Sequence, residues 1–143
     1  MRLTYLFLQF DGRISRKPYW IAFCLLSAAG LTSWFLTDHF GGERLSSIIE
    51  LMLMYPELAV IVKRAHDREM PLWIPFLYFC FGVLANAVVI FGLGGSKDEP
   101  STPFWIVSLP LLAVALYLFV DLGFFKGVRG PNRFGPDPLE RQT

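Results

Sequence analysis

Charge and cysteine are both scarce in this chain. Only 17% of its 143 residues are Asp, Glu, Lys or Arg, against about 25% in soluble domains, and the shortfall is concentrated in long apolar stretches. That sorting of apolar from charged segments excludes an ordinary soluble fold and is the mark of a chain partitioned by a bilayer. The two cysteines, Cys24 and Cys80, lie far apart in apolar surroundings. Such spacing excludes a disulfide framework and a thiolate metal site, leaving lipid-facing or packing roles. No stretch near the start has the length of a signal-peptide core, so a cleavable leader is not expected. Internal repeats and low-complexity tracts are also lacking. With a net charge of +1 and its cations at the borders of apolar segments, the chain offers nothing that predicts a nucleic-acid partner.

What is present is a set of four apolar segments, at residues 19–36, 45–62, 72–93 and 104–125. Each holds about 18–22 residues, enough to cross a hydrocarbon core of about 30 Å at about 1.5 Å per residue. The expected fold is an all-α bundle of about four transmembrane helices with short loops, a single integral membrane domain over 1–143 with a tail at 126–143. Pro18 suits the first turn of the first helix. Tyr19, Trp20, Trp34, Trp73 and Trp105 stand near segment ends, where aromatic rings prefer the headgroup level. The connections alternate in charge. Of the 13 Lys and Arg residues, Arg44 and Lys97 fall on one side, and the other eleven fall at the termini and at 63–70. The positive-inside rule therefore predicts that both termini are cytoplasmic. Residues 1–9 carry Leu3 and Phe7 at helical spacing, compatible with either an interfacial helix or an unstructured lead.

Three polar motifs flank these segments on the side that is rich in cations. The first is Phe10-Asp11-Gly12-Arg13-Ile14-Ser15-Arg16-Lys17-Pro18-Tyr19-Trp20. The second is Lys63-Arg64-Ala65-His66-Asp67-Arg68. The third is Gly130-Pro131-Asn132-Arg133-Phe134-Gly135-Pro136-Asp137-Pro138. In that order, and across nearly the whole chain, they resemble the bacterial inner-membrane family known as domain of unknown function 805. The resemblance implies a small helical protein of the bacterial inner (plasma) membrane and brings no established activity. The chain departs from the family pattern after Asp67. The usual small, Gly-containing turn is replaced there by Arg68-Glu69-Met70-Pro71-Leu72-Trp73, and Glu57 stands where a smaller residue is more usual.

The candidate residues form two groups. Arg13, Arg16, Arg64, His66, Asp67, Asn132, Arg133 and Asp137 make an arginine-rich cytoplasmic face. Guanidiniums suit both bidentate carboxylates and phosphates, so this face is either a structural clasp or a site for anionic lipid headgroups or a partner membrane protein. Asp11, Asp67 and Asp137 supply matching anions. Arg13 with Arg16, and Arg64 with Arg68, would share a face if helical. Glu50, Glu57 and Asp121 lie inside apolar segments, where charge is costly and often marks a pathway. They support an alternative, a small oligomeric transporter or channel, unless they pair with Arg64 or Arg13. A third reading, a lipid-modifying enzyme using His66 and Asp67, lacks an accompanying nucleophile or second ligand set. No catalytic residue, metal or cofactor is expected. The expected partners are membrane lipids, with a second copy or another membrane protein beside them.

Overall fold

The computed structural model describes residues 2–40, 42–96 and 99–140, without the side chains of Asp38 and Phe40. Lys97 and Arg141, both part of the charge count above, lie outside the described residues. The chain forms five helices: α1 (Leu3–Leu8), α2 (Arg16–Phe40), α3 (Gly42–Asp67), α4 (Trp73–Ile90) and α5 (Thr102–Phe124). The last four are long and apolar enough to cross a membrane, as the hydropathy pattern requires. Among the described residues there are isolated β-bridges, Gly95 with Pro100 and Asn132 with Gly135, and no strand.

The helices differ from the apolar segments at their ends, for a physical reason. Hydropathy marks the part that fits lipid, whereas a helix continues for as long as its backbone bonds are satisfied. In the stretch 37–44, expected to be a loop, residues 37–40 and 42–44 are helical, and Gly41 lies outside the described residues. Residues 63–67, expected in the opposite loop, form the last turn of α3. That turn matters most, because it carries Lys63, Arg64, His66 and Asp67 on one rigid element. The short lead is ordered as α1, whose side chain Leu6 is buried.

Helix α3 is the hub. It packs against α1, α2, α4 and α5, and it is the most buried of the four long helices. Neighbouring helices follow one another around the bundle, and α2 meets α5 to close it. Trp20 sits edge-on to Phe23 and Phe119 at ring separations of 5.5 Å and to Phe124 at 5.6 Å, which knits α2 to α5 through the geometry that aromatic pairs favour. The apolar core, including Ile14, Tyr19, Ala22, Val60, Ile61 and Leu122, lies toward the end of the bundle that holds both terminal segments. Outward faces of α2, α4 and α5 expose Leu31, Phe76, Ile106 and Leu112 among others, as lipid-facing helices do.

Candidate functional site

Both terminal segments and the end of α3 converge on one buried electrostatic clasp. Asp67, the last residue of α3, faces two guanidiniums. Arg13 approaches to 3.0 Å and Arg64 pairs with the other carboxylate oxygen, all three side chains being at most 4% exposed. Arg13 donates Nε to Asp67 at 3.1 Å, one terminal nitrogen to the carbonyls of Gly130 (2.8 Å) and Gly135 (3.3 Å), and the other to that of Val128 (2.6 Å). The tail is thus wrapped around a residue that precedes the first long helix. Asp67 also accepts from Val128 through its backbone carbonyl at 2.8 Å. Gly127 passes so close that a Cβ there would run into the Asp67 carboxylate.

Arg64 and its neighbours finish α5. A helix leaves its final carbonyls without intrahelical donors, and its C-terminal end favours positive charge. Here consecutive carbonyls receive side-chain donors from other elements: Leu122 from Arg64 Nε (2.9 Å), Gly123 from Trp20 Nε1 (3.1 Å), Phe124 from Arg16 (3.3 Å), Phe125 from Arg64 (2.6 Å) and Lys126 from Arg68 (2.6 Å). Lys63 does the same for α1. Its Nζ donates to the carbonyls of Tyr5, Leu6 (2.7 Å) and Gln9 (2.6 Å), and it lies 4.9 Å from the Tyr5 ring centre. Adjacent positions on a helix point about 100° apart, so Lys63 serves α1 while Arg64 serves α5.

His66 is held just as firmly. Its Nδ1 lies 3.0 Å from the Gly12 carbonyl, and its ring stacks on Phe134 at 3.8 Å. Arg133 lies over the same Phe134 ring at 4.6 Å. Asn132 donates to the His66 carbonyl at 3.0 Å while its side-chain oxygen receives the Phe134 N–H. Asp137 accepts the N–H groups of Leu139 (2.9 Å) and Gly130 (3.0 Å). Those donors, with Arg13 nearby, hold its carboxyl below the usual carboxylate range.

The sequence-derived group is therefore brought together, but its members divide. Arg13 and Asp67 are sealed in, along with Arg64. Arg16 and Arg133 are exposed. Arg13 precedes α2 whereas Arg16 opens it, so the two do not share a helical face, as the spacing alone suggested. Arg64 and Arg68 do act on one side, both reaching the end of α5. Asp11 stays at the surface. Beside the clasp is a cavity of about 480 Å³ whose wall includes Ser15, Arg16, Lys17, Lys126 and Arg129.

The second group separates as well. Asp121 pairs with Arg68 through contacts of 3.0 and 3.2 Å, and this pairing keeps the Arg68 guanidinium more firmly protonated than usual despite its partial burial. Glu57 accepts from the Tyr78 hydroxyl at 2.9 Å, so its partner is neither Arg13 nor Arg64. Glu50 and Glu57 line one cavity inside the bundle. No group of three or more His, Cys, Asp or Glu side chains among the described residues is placed to hold a metal ion.

Residues 7–136 match the family described as "Protein of unknown function (DUF805)". The chain belongs to that family. It is also 31% identical, over 137 residues, to the "Uncharacterized protein YiiR" of Escherichia coli strain K12 and to the protein of the same name in E. coli O157:H7, covering 90% of this chain and 85% of each relative. No solved structure matches.

Several contributors in this DUF805 chain escape a reading by motif. Lys63 entered the sequence argument as a positive charge opening the second motif, with no partner assigned to it. The signal for more was its place directly after an apolar run; Asp67, four positions on, is taken by Arg13 and Arg64, so the lysine finds carbonyls instead. Phe134 stands inside the third motif, yet only the fold places it on His66. Trp20, expected at the headgroup level, also caps α5 through Gly123, a contact that only the fold reveals. Tyr78 and Asn86 lie in an uncharged span with no local pattern to single them out.

Proposed function

We propose that this DUF805 protein is a non-enzymatic module of the bacterial inner membrane, with both termini cytoplasmic, that binds the phosphate headgroup of anionic lipids at the rim of its clasp. The observation that carries this reading is the 480 Å³ cavity, walled by the exposed Arg16, Lys17, Lys126 and Arg129. Asp67 and Asp137 also line it, but Asp67 is engaged by Arg13 and Arg64, and Asp137 by two backbone N–H groups. The rim is left with an excess of positive charge. Cations at an anionic leaflet contribute about 1 kcal/mol each, and the cytoplasmic placement follows from the bias in Lys and Arg.

The geometry supports a division of labour. Arg13, Arg64, Asp67, Asn132 and Asp137 build the platform, and the four rim cations meet the ligand. A non-enzymatic role fits the way His66 and Asp67 point to different partners, Gly12 and the arginines respectively. The test is native mass spectrometry of protein in nanodiscs containing phosphatidylglycerol diluted in phosphatidylcholine. Wild type is expected to retain phosphatidylglycerol, and a variant with Arg16, Lys17, Lys126 and Arg129 all changed to Gln is expected to lose that preference. Equal retention of both lipids by the wild type, or an unchanged preference in the variant, would overturn the reading.

A further inference from the structure

The interior of the bundle holds cavities apart from the clasp. A cavity of about 340 Å³ lies among α2, α3, α4 and α5, and another of about 690 Å³ lies toward the end opposite the terminal segments. Glu50, Asn86 and Leu111 line both, so the two cavities adjoin there and make up a recess in two parts. The outer part is bounded by residues at the α2–α3 and α4–α5 connections, including Thr37, Gly42, Gly94 and Ser96. The inner part ends near Tyr19, Val60, Ile61 and Leu118, all buried and belonging to the core beneath the clasp. The inner end of the recess is thus packed shut, and both volumes lie in the usual range of about 300–1,000 Å³ for small-molecule sites.

Its chemistry is selective. The inner wall carries aromatic and aliphatic side chains, among them Phe23, Phe119 and Leu53, with a polar track of Glu50, Glu57, Tyr78 and Asn86. Glu57 and Glu50 are seven residues apart on α3 and so lie near one face of the helix. The described residues that line the inner cavity include no Lys, Arg or His, whereas Arg44 lines the outer one beside Glu43. Hydroxyls and an amide are at hand. Tyr78 donates to Glu57 at 2.9 Å and Ser46 to Glu50 at 3.5 Å. Yet charge at this depth is stabilised mainly by opposite charge, and none is built into this wall. Asp121, the third acidic residue of the spans, takes no part because Arg68 occupies it.

We infer that the recess binds an organic cation with an apolar, aromatic-compatible body, its positive charge set between Glu50 and Glu57. The apolar wall, with Phe23 and Phe119 in it, receives the body of the ligand, and aromatic rings attract a cation through their quadrupoles. Small side chains on α2 and α5, Gly30 and Ala115, leave the room that the ligand fills.

The probe is tetraphenylphosphonium, titrated calorimetrically into purified full-length protein in nanodiscs, with empty nanodiscs subtracted. Saturable one-site binding is expected, weakened tenfold or more by Glu57→Gln and further by Glu50→Gln. Ala115→Leu, which fills the recess and keeps both carboxylates, is expected to abolish binding while the helical circular-dichroism signal and melting temperature stay near wild type. Tetraphenylborate, of the same shape and opposite charge, is expected to show no saturable binding. Absence of saturable tetraphenylphosphonium binding by the wild type would overturn the inference, as would an affinity unchanged in both Glu57→Gln and Ala115→Leu. If Glu57→Gln does not fold, Glu50→Gln and Ala115→Leu decide between the same two outcomes.

Discussion

Arg13 and Asp67, 54 positions apart in the chain, meet at 3.0 Å in a pocket that exposes 1% and 4% of their side chains. One precedes the first long helix and the other ends the second. The contact therefore fixes the register of the chain entry against α3, and Arg13 then carries the tail through Val128, Gly130 and Gly135.

Removing the carboxylate at the centre of this contact leaves two guanidiniums without their countercharge in a dry site. Breaking such a buried pair costs about 3–5 kcal/mol. Asp67→Ala is expected to lose stability in that range, measured by chemical unfolding in detergent, and Asp67→Asn less because it keeps an acceptor. A loss under about 1 kcal/mol for Asp67→Ala, within the range of an exposed pair, would show that the clasp is solvated.

The close passage of the tail gives a second expectation. A methyl group at position 127 would collide with the Asp67 carboxylate, so Gly127→Ala must displace either the tail or the ion pair. Limited proteolysis is expected to cut after Phe125 much faster in Gly127→Ala than in wild type. A cleavage pattern identical to wild type would show that the tail is not seated on Asp67.

Acid should loosen the tail before it unfolds the helices. The Asp137 carboxyl titrates below its ordinary value because the Leu139 and Gly130 N–H groups and Arg13 favour its charged form. Its contribution is therefore fully present above the unfolded-state value of about 4 and is lost as pH falls through the lower folded-state value. Hydrogen exchange at the Gly130 and Leu139 amides, corrected for intrinsic rates, is expected to accelerate over that window. Asp137→Asn is expected to remove the pH dependence.

The turn between α3 and α4 stores a small strain. Glu69 has φ 53°, a left-handed conformation that costs an ordinary residue about 1–2 kcal/mol and glycine little. Glu69→Gly is expected to be neutral or to stabilise by up to about 1 kcal/mol, because the relief is partly offset by the greater freedom of glycine in the unfolded chain. Thermal melting in detergent would show it, and a fall in stability would mean that the Glu69 side chain holds the turn.

Much of the architecture was legible in the residues. The four apolar segments, their approximate lengths and the gathering of polar motifs beside them follow from hydropathy, since lipid accepts only helices whose backbone bonds are internally satisfied. The motifs also pointed to the family. Helix ends were less legible: at 37–40, 42–44 and 63–67 the helices run past the lipid-sized segments, because backbone hydrogen bonding does not stop at the hydrocarbon boundary.

Sequence alone thus determined the number of helices long and apolar enough to cross a membrane, the gathering of charge at one end of the bundle and the residue types available for a clasp, all of which depend on local composition. Only the tertiary structure decided who pairs with whom. Arg64 and Lys63 are neighbours in the chain and serve opposite helices. Asp121 goes to Arg68, and Glu57 goes to Tyr78. Such assignments depend on how α3 is rotated against the elements around it, and that rotation is set by packing across the whole bundle, which no local stretch of sequence encodes.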